Sequence, residues 1–183
     1  KPLCARLRLP QHALADDQPA GALDVLVASH GHLVRPVALP SGFDAAAEIR
    51  QRINFAEMAY NSADLERRGR AVMSPVLTAA LDEGKAVSAR DYLAALEQRR
   101  VLNAGLDEIF ATCDALLCPA TPTAAPLGLD STGSAIFNGL WTLCGTPAIT
   151  LPLFHTDSGL PMGVQLVGRV GDDARLLRTA RWL

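Results

Sequence analysis

Short apolar runs punctuated by proline and glycine alternate with longer stretches of helical periodicity, which predicts an α/β chain. Three such runs stand near the end: residues 116–118, 148–151 and 164–167. Pro119 and Pro152 close the first two, and since proline supplies no ladder donor each strand is expected to end there. The third is interrupted by Gln165 and closed by Gly168. All three read as buried strands, and the helices between them suggest a sheet covered on both faces. At the start, residues 4–9 alternate apolar and basic positions up to Pro10, a further strand, and residues 11–21 read as a polar loop. Periodicity allows residues 22–29 to be strand or helix. A helix closed by Gly31 is favoured, because residues 32–39 (HLVRPVAL) then follow as the next strand. Pro36 inside that run argues for an edge position or a bulge. The unit is a strand–helix–strand crossover, with parallel strands and a right-handed connection expected.

The middle of the chain is helical. From 44 to about 70 an apolar stripe of Ala47, Ile49, Ile53, Ala56 and Tyr60 recurs with the charges elsewhere. Ser74-Pro75 opens a short helix that Gly84 is expected to end. Ser88-Ala89-Arg90-Asp91 is similar to a capping box with Asp in the acidic place. It starts the longest helix, through about Cys113, with Tyr92, Leu96, Leu102, Leu106, Ile109 and Phe110 on its buried face. Residues 135–144 form a helix stopped by Gly145 and Pro147. Asp172 is expected to cap a final helix that buries Leu176, Leu177 and Ala180. The result is one domain in three parts: a strand–helix–strand unit over 1–43, a helical segment over 44–113, and sheet strands with a last helix over 114–183.

Composition narrows the function classes. The chain has 183 residues, 49% hydrophobic and 20% charged, enough to bury one core. A net charge of -2 gives no reason to expect nucleic acid or an acidic membrane surface as partner. No apolar run approaches bilayer length, and the first residues lack the apolar segment of a signal peptide. Cys4, Cys113, Cys118 and Cys144 sit far apart without a C-x-x-C pair, so they read as reduced core thiols of a cytoplasmic protein. His12, His30, His32 and His155 show no metal-ligand spacing, and no phosphate-cradling glycine loop occurs. Residues 27–31 (VASHG) are a near miss to a G-x-S-x-G nucleophile elbow. With Val27 where the strained turn needs glycine, Ser29-His30-Gly31 reads as a helix end. The chain opens on Lys1 without a methionine and is read as part of a longer protein.

Four segments, in this order, carry a resemblance: Pro119-Ala120-Thr121-Pro122, Trp141 to Ala148, Leu160 to Gly168, and Asp172 to Leu177. Together they resemble the C-terminal part of the amidase signature family, serine hydrolases that cleave carboxamides. The resemblance implies an α/β fold: a partial amidase-signature fold with a mixed, largely parallel β-sheet covered by helices on both faces. It also implies that the N-terminal catalytic portion is missing. In that family a serine attacks the amide carbon, and a second serine held by a cis peptide passes protons to a lysine. Nothing in this chain reproduces those residues. There is no Ser-Ser run, and of the two lysines, Lys1 and Lys85, the latter follows Gly84 in a polar stretch and reads as a surface residue. No catalytic residue is therefore assigned here.

Carried over by position, Thr121, Phe137, Asn138 and Trp141 are candidates to line the acyl pocket. Arg99 falls where glutamine-using members, the amidotransferase A-type subunits, hold a substrate carboxylate. Against that subclass, Ala135 stands near the position of the acidic residue those subunits use for the glutamine amino group. Thr142 likewise replaces a frequent asparagine. The resemblance implies no cofactor and no metal. The partners it implies are a small-molecule amide and the missing N-terminal half, and a homo-oligomer is left open. The alternatives are a non-catalytic binding or structural module and an amidotransferase A-type subunit.

Overall fold

A computed structural model describes residues 1–9 and 17–183; of residues 17–20 it describes the backbone. The expected end of the first strand at Pro10, and His12, lie outside the described residues. In chain order the elements are β1 (Cys4–Arg8), α1 (Asp17–His30), β2 (Val34–Ala38), α2 (Ala46–Asn61), α3 (Ala63–Gly69), α4 (Pro75–Ala86), α5 (Ala89–Phe110), β3 (Ala115–Pro119), α6 (Ile136–Cys144), β4 (Ala148–His155), β5 (Pro161–Val167) and α7 (Asp173–Trp182).

The strands form one five-stranded sheet in the order β2-β1-β3-β5-β4. β1 runs parallel to β2 and to β3, whereas β5 is antiparallel to both β3 and β4. Four strands therefore point one way and β5 alone is reversed, a mixed, mostly parallel sheet. Side chains alternate between its faces, as the period of two requires. Leu7, Leu116, Cys118 and Val167 join Ile49, Ile53, Leu102, Leu106, Phe137 and Trp141 in the core under α2, α5 and α6. Cys4, Val34, Leu117, Val164 and Leu166 join Leu23, Leu26 and Leu176 in a second core under α1 and α7. Helices thus cover both faces. The strand–helix–strand unit is present and parallel, and Pro36 sits on β2, an edge strand.

Several expectations are corrected. The loop expected over 11–21 gives way to helix from Asp17 onward, Pro19 falling in the first turn, where its missing N–H costs nothing. The helical run from 44 to 70 is broken at Ser62 into α2 and α3. Tyr60 is exposed, as are Ala47 and Leu177, because the buried stripes shift to Ala46, Ile49, Ile53 and Ala59 on α2 and to Leu176 and Thr179 on α7. α5 ends at Phe110 rather than near Cys113. Gly84 does not end α4. It lies inside that helix, where an added Cβ would sit 2.0 Å from the Phe55 carbonyl oxygen, so it is the point at which α2 and α4 touch backbone to backbone.

Pro152 does not end β4 either. The strand continues to His155 with a register irregularity between Leu151 and Phe154, which proline tolerates on an edge strand. β4 is also not buried: Ile149, Leu151 and Phe154 face α7 half-covered, while Ala148, Thr150 and Pro152 are exposed on the other face. Asp172 precedes α7 without a side-chain cap, its carboxylate instead accepting from Arg175 Nε at 2.7 Å. Ser88 caps α5 as expected, its Oγ accepting from Asp91 N–H at 3.1 Å and donating to Asp91 Oδ2 at 2.7 Å.

Candidate functional site

The uncovered face of β4 is the floor of a trough, and α6 is its wall. α6 ends in a Schellman closure: Gly145 takes φ +67°, its N–H reaches Thr142 O, and the Thr146 N–H reaches Trp141 O at 3.1 Å. This turn sends the chain straight into β4 and sets α6 alongside it. Phe137, Leu140 and Leu143 turn inward to the core, which leaves Asn138 and Thr142, one turn apart, on the trough side.

Three cavities follow one another along that helix. One of 320 Å³ lies between the Pro/Thr loop after β3 and the floor residues Thr150 and Gly163, with Thr121, Ser134 and Asn138 on its walls. The next, of 380 Å³, is bounded by Asn138, Trp141, Thr142, Ala148 and Gln165. A third, of 150 Å³, lies between Thr142, Leu143, Arg50, Asn54, Glu57 and Arg99. Asn138 is shared by the first two and Thr142 by the last two. Gly163 keeps the floor open, since a Cβ there would stand 2.4 Å from Thr150 Cγ2. The Pro/Thr loop leaves the carboxyl end of a strand in a mostly parallel sheet, the end at which α/β sheets hold ligands.

Of the five residues singled out from the sequence, the structure brings four to this trough. Thr121 lies in its loop with Oγ1 donating to Thr123 O at 2.7 Å. Asn138 and Trp141 lie at the centre, and Arg99 lies at the far end beside Arg50. Phe137 is fully buried in the core and lines none of the three cavities. Trp141 is 2% exposed. Its indole N–H finds no partner of hydrogen-bonding geometry, although it lies close enough to Cys118 to oppose, in part, the burial that pushes that thiol up to about 12.

Sequence reasoning passed over Gln165, and the signal was there: a glutamine inside an otherwise apolar strand. Gln165 is 5% exposed and makes two side-chain hydrogen bonds. Its Oε1 accepts from Cys118 Sγ at 3.6 Å, and its Nε2 donates to Asn138 Oδ1 at 2.7 Å.

The trough offers donors but no activated nucleophile among the described residues. Burial pushes all four thiols up, Cys4 and Cys113 to about 11 and Cys118 and Cys144 to about 12, so none is a thiolate near neutrality. Ser29 sits at the end of α1, away from the trough, with Oγ 2.8 Å from Leu26 O and 3.0 Å from His30 Nδ1. The His30 ring nitrogen also meets Leu26 O, and its ring stands edge-on to Trp182 at 5.1 Å, so the pair is a helix end and not an elbow. Lys85 is paired with Glu66 at 2.7 Å and Asp82 at 3.1 Å in a surface network with Arg70. No cluster able to hold a metal ion occurs among the described residues, nor any helix long and apolar enough to cross a membrane.

Comparison with known proteins bears on the family and the fold. The model of the Amidase family matches residues 17–177. The chain is 42% identical over 95 residues to the A-type subunit of the glutamyl-tRNA(Gln) amidotransferase of Neisseria meningitidis serogroup C, a match covering 49% of this chain and 20% of that protein. The corresponding amidotransferase protein of Psychrobacter cryohalolentis is 37% identical over 95 residues, with 49% and 19% covered. Among solved structures, the crystal structure of an amidase superposes over 100% of this chain and 45% of its own, with a TM-score of 0.84 and 25% identity. The fold is also that of 6-aminohexanoate cyclic dimer hydrolase: TM-score 0.74, 19% identity, 98% and 44% covered. The chain thus spans less than half the length of the proteins it matches.

Proposed function

The chain belongs to the amidase family, and on that premise we propose that it forms the substrate-enclosing part of a carboxamide hydrolase. The observation that carries this reading is the trough itself, lined by hydrogen-bonding side chains yet holding no nucleophile beside a base among the described residues. On this reading a serine on the rest of the protein adds to the amide carbon, with the second serine and the lysine handling the proton. The C–N bond breaks, ammonia or an amine leaves with that proton, and water then cleaves the acyl-serine ester to acid and free enzyme. Thr121, Asn138 and Trp141 border the acyl group, Arg99 holds any carboxylate at the distal end, and Phe137 supports α6 from behind. The chemistry needs no cofactor.

Ammonia release from a panel of small carboxamides, measured with the full-length protein and with residues 1–183 alone, tests this. Turnover by the former and none by the latter is expected. Turnover by residues 1–183 alone overturns the reading and returns attention to Ser29 and His30.

The two relatives that are A subunits of a glutamyl-tRNA(Gln) amidotransferase favour a second reading, a component of an amidotransferase that works with partner chains. Ala135, lacking a carboxylate for an amino group, weighs against it. Glutamine hydrolysed far better than simple amides, by a protein that copurifies with other chains, would decide for it.

A further inference from the structure

We propose that Asn138 donates a hydrogen bond to an oxygen of the bound acyl group, and that Gln165 and Cys118 are positioning residues that decide which end of its amide faces the ligand. The proposal rests on the reading of the trough as an acyl pocket and deepens it by naming the group recognised.

A primary amide has an acceptor end and a donor end, and nothing in its shape distinguishes them. Here a buried relay does. A protonated cysteine has a single S–H to give, and Cys118 gives it to Gln165 Oε1 at 3.6 Å across the β3–β5 pair, where the two residues stand directly opposite. Burial keeps that thiol protonated. With its oxygen engaged by a donor, Gln165 presents Nε2 to α6, and Nε2 donates to Asn138 Oδ1 at 2.7 Å. The acceptor end of Asn138 is thereby occupied from below. Its Nδ2 has no acceptor among the described residues, and it is not among the buried polar atoms left without a partner, so it is an accessible donor on a residue that lines both cavities. Reversing Asn138 alone would set its NH2 against the Gln165 NH2, and reversing Gln165 as well would exchange the carbonyl acceptor of the S–H for an NH2 that finds only the thiol sulfur, a much weaker acceptor. This order of donors favours a donor at the far end, which suits a carbonyl or carboxylate oxygen over an ammonium or amide N–H.

The test uses the full-length protein with a small carboxamide as substrate, together with NMR of the asparagine and glutamine side-chain amides during titration with acetamide. Gln165→Met keeps the length and removes the relay. KM is expected to rise about tenfold, the scale of one oriented hydrogen bond, with kcat changed less than about twofold. Cys118→Ser, which still offers an O–H, should restore near-native KM, whereas Cys118→Ala should not. In the wild type, acetamide should shift the Asn138 amide resonance, and in Gln165→Met that shift should vanish. Unchanged KM in both Gln165→Met and Cys118→Ala overturns the proposal. If no carboxamide is turned over, the hydrolase reading fails separately. The acetamide shift then decides: its presence in the wild type and loss in Gln165→Met sustains the relay, and its absence from the wild type overturns it.

Discussion

Single residues in this chain act chiefly through the space they leave. Gly84 and Gly139 look alike in the sequence, each a glycine inside a helix, yet their surroundings differ in kind. A methyl group at 84 meets the Phe55 backbone carbonyl at 2.0 Å and Ala59 Cβ at 3.0 Å, and neither can move without separating α2 from α4. A methyl group at 139 meets Arg50 Nε at 2.7 Å, part of a long side chain with other rotamers. Gly84→Ala is therefore expected to cost about 2–3 kcal/mol in urea unfolding, and Gly139→Ala under about 1 kcal/mol. The thiols make a second case. With all four held near 11 or 12 by burial, they should be silent to a thiol reagent at pH 8 in the native state and all react once urea unfolds the chain. A thiol that reacts quickly in the native protein would contradict the described packing around it.

Among the elements, the start of the sheet depends on one carboxylate. Asp114 precedes β3 and accepts from the Leu3 backbone N–H at 2.8 Å while its own N–H reaches Leu3 O at 2.7 Å, and Arg175 of α7 closes on it at 2.9 Å. The Leu3 N–H first, then Arg175, hold its carboxyl below the usual carboxylate range. A folded-state value below the unfolded one means the stabilisation is complete above the unfolded pKa, about 3.9, and is lost as pH falls through the lower folded value. Asp114→Asn should thus lower stability at pH 7 by about 1 kcal/mol, and the gap should close in acid, once the carboxyl is protonated in the folded state as well. Denaturant midpoints at pH 7 and in acid measure it; a gap that persists in acid would mean the charge is not what matters.

Elements were the scale at which the sequence spoke most plainly. Apolar runs and caps located the strands and most helices, and Pro36 announced an edge. Gly84 and Pro152 misled because each was read as punctuation along the chain. Their roles are set by what lies across from them: a neighbouring helix for one and an open sheet edge for the other. Thr121, Asn138, Trp141 and Arg99 converge on one trough, but the pairing of β5 with β3, which sets Gln165 between Cys118 and Asn138, joins segments distant in the chain and leaves no local trace.

At the scale of the whole molecule the most conspicuous surface is the outer edge of β4, which no strand pairs among the described residues. Leu153 on that strand is 41% exposed, and Leu127 and Leu129 of the neighbouring loop are fully exposed. Unpaired apolar edges template association. Residues 1–183 in isolation are expected to self-associate with rising concentration, and Leu153→Lys to reduce the weight-average mass in sedimentation experiments. A wild type that stays monomeric at every concentration would show this edge to be harmless.

The buried Gln165 has one more consequence, for how the strands find their alignment. Along β5, side chains alternate between the α6 side and the α1–α7 side, so a slip of one residue would carry the glutamine to the opposite face. There it would enter the apolar cluster that contains Leu23, Leu26, Leu117 and Leu176, where no carbonyl or amide side chain waits for it, and the misaligned sheet would carry a penalty of about 1–3 kcal/mol. The polar residue thus acts as an indexing pin, tolerated in one alignment and rejected in the next.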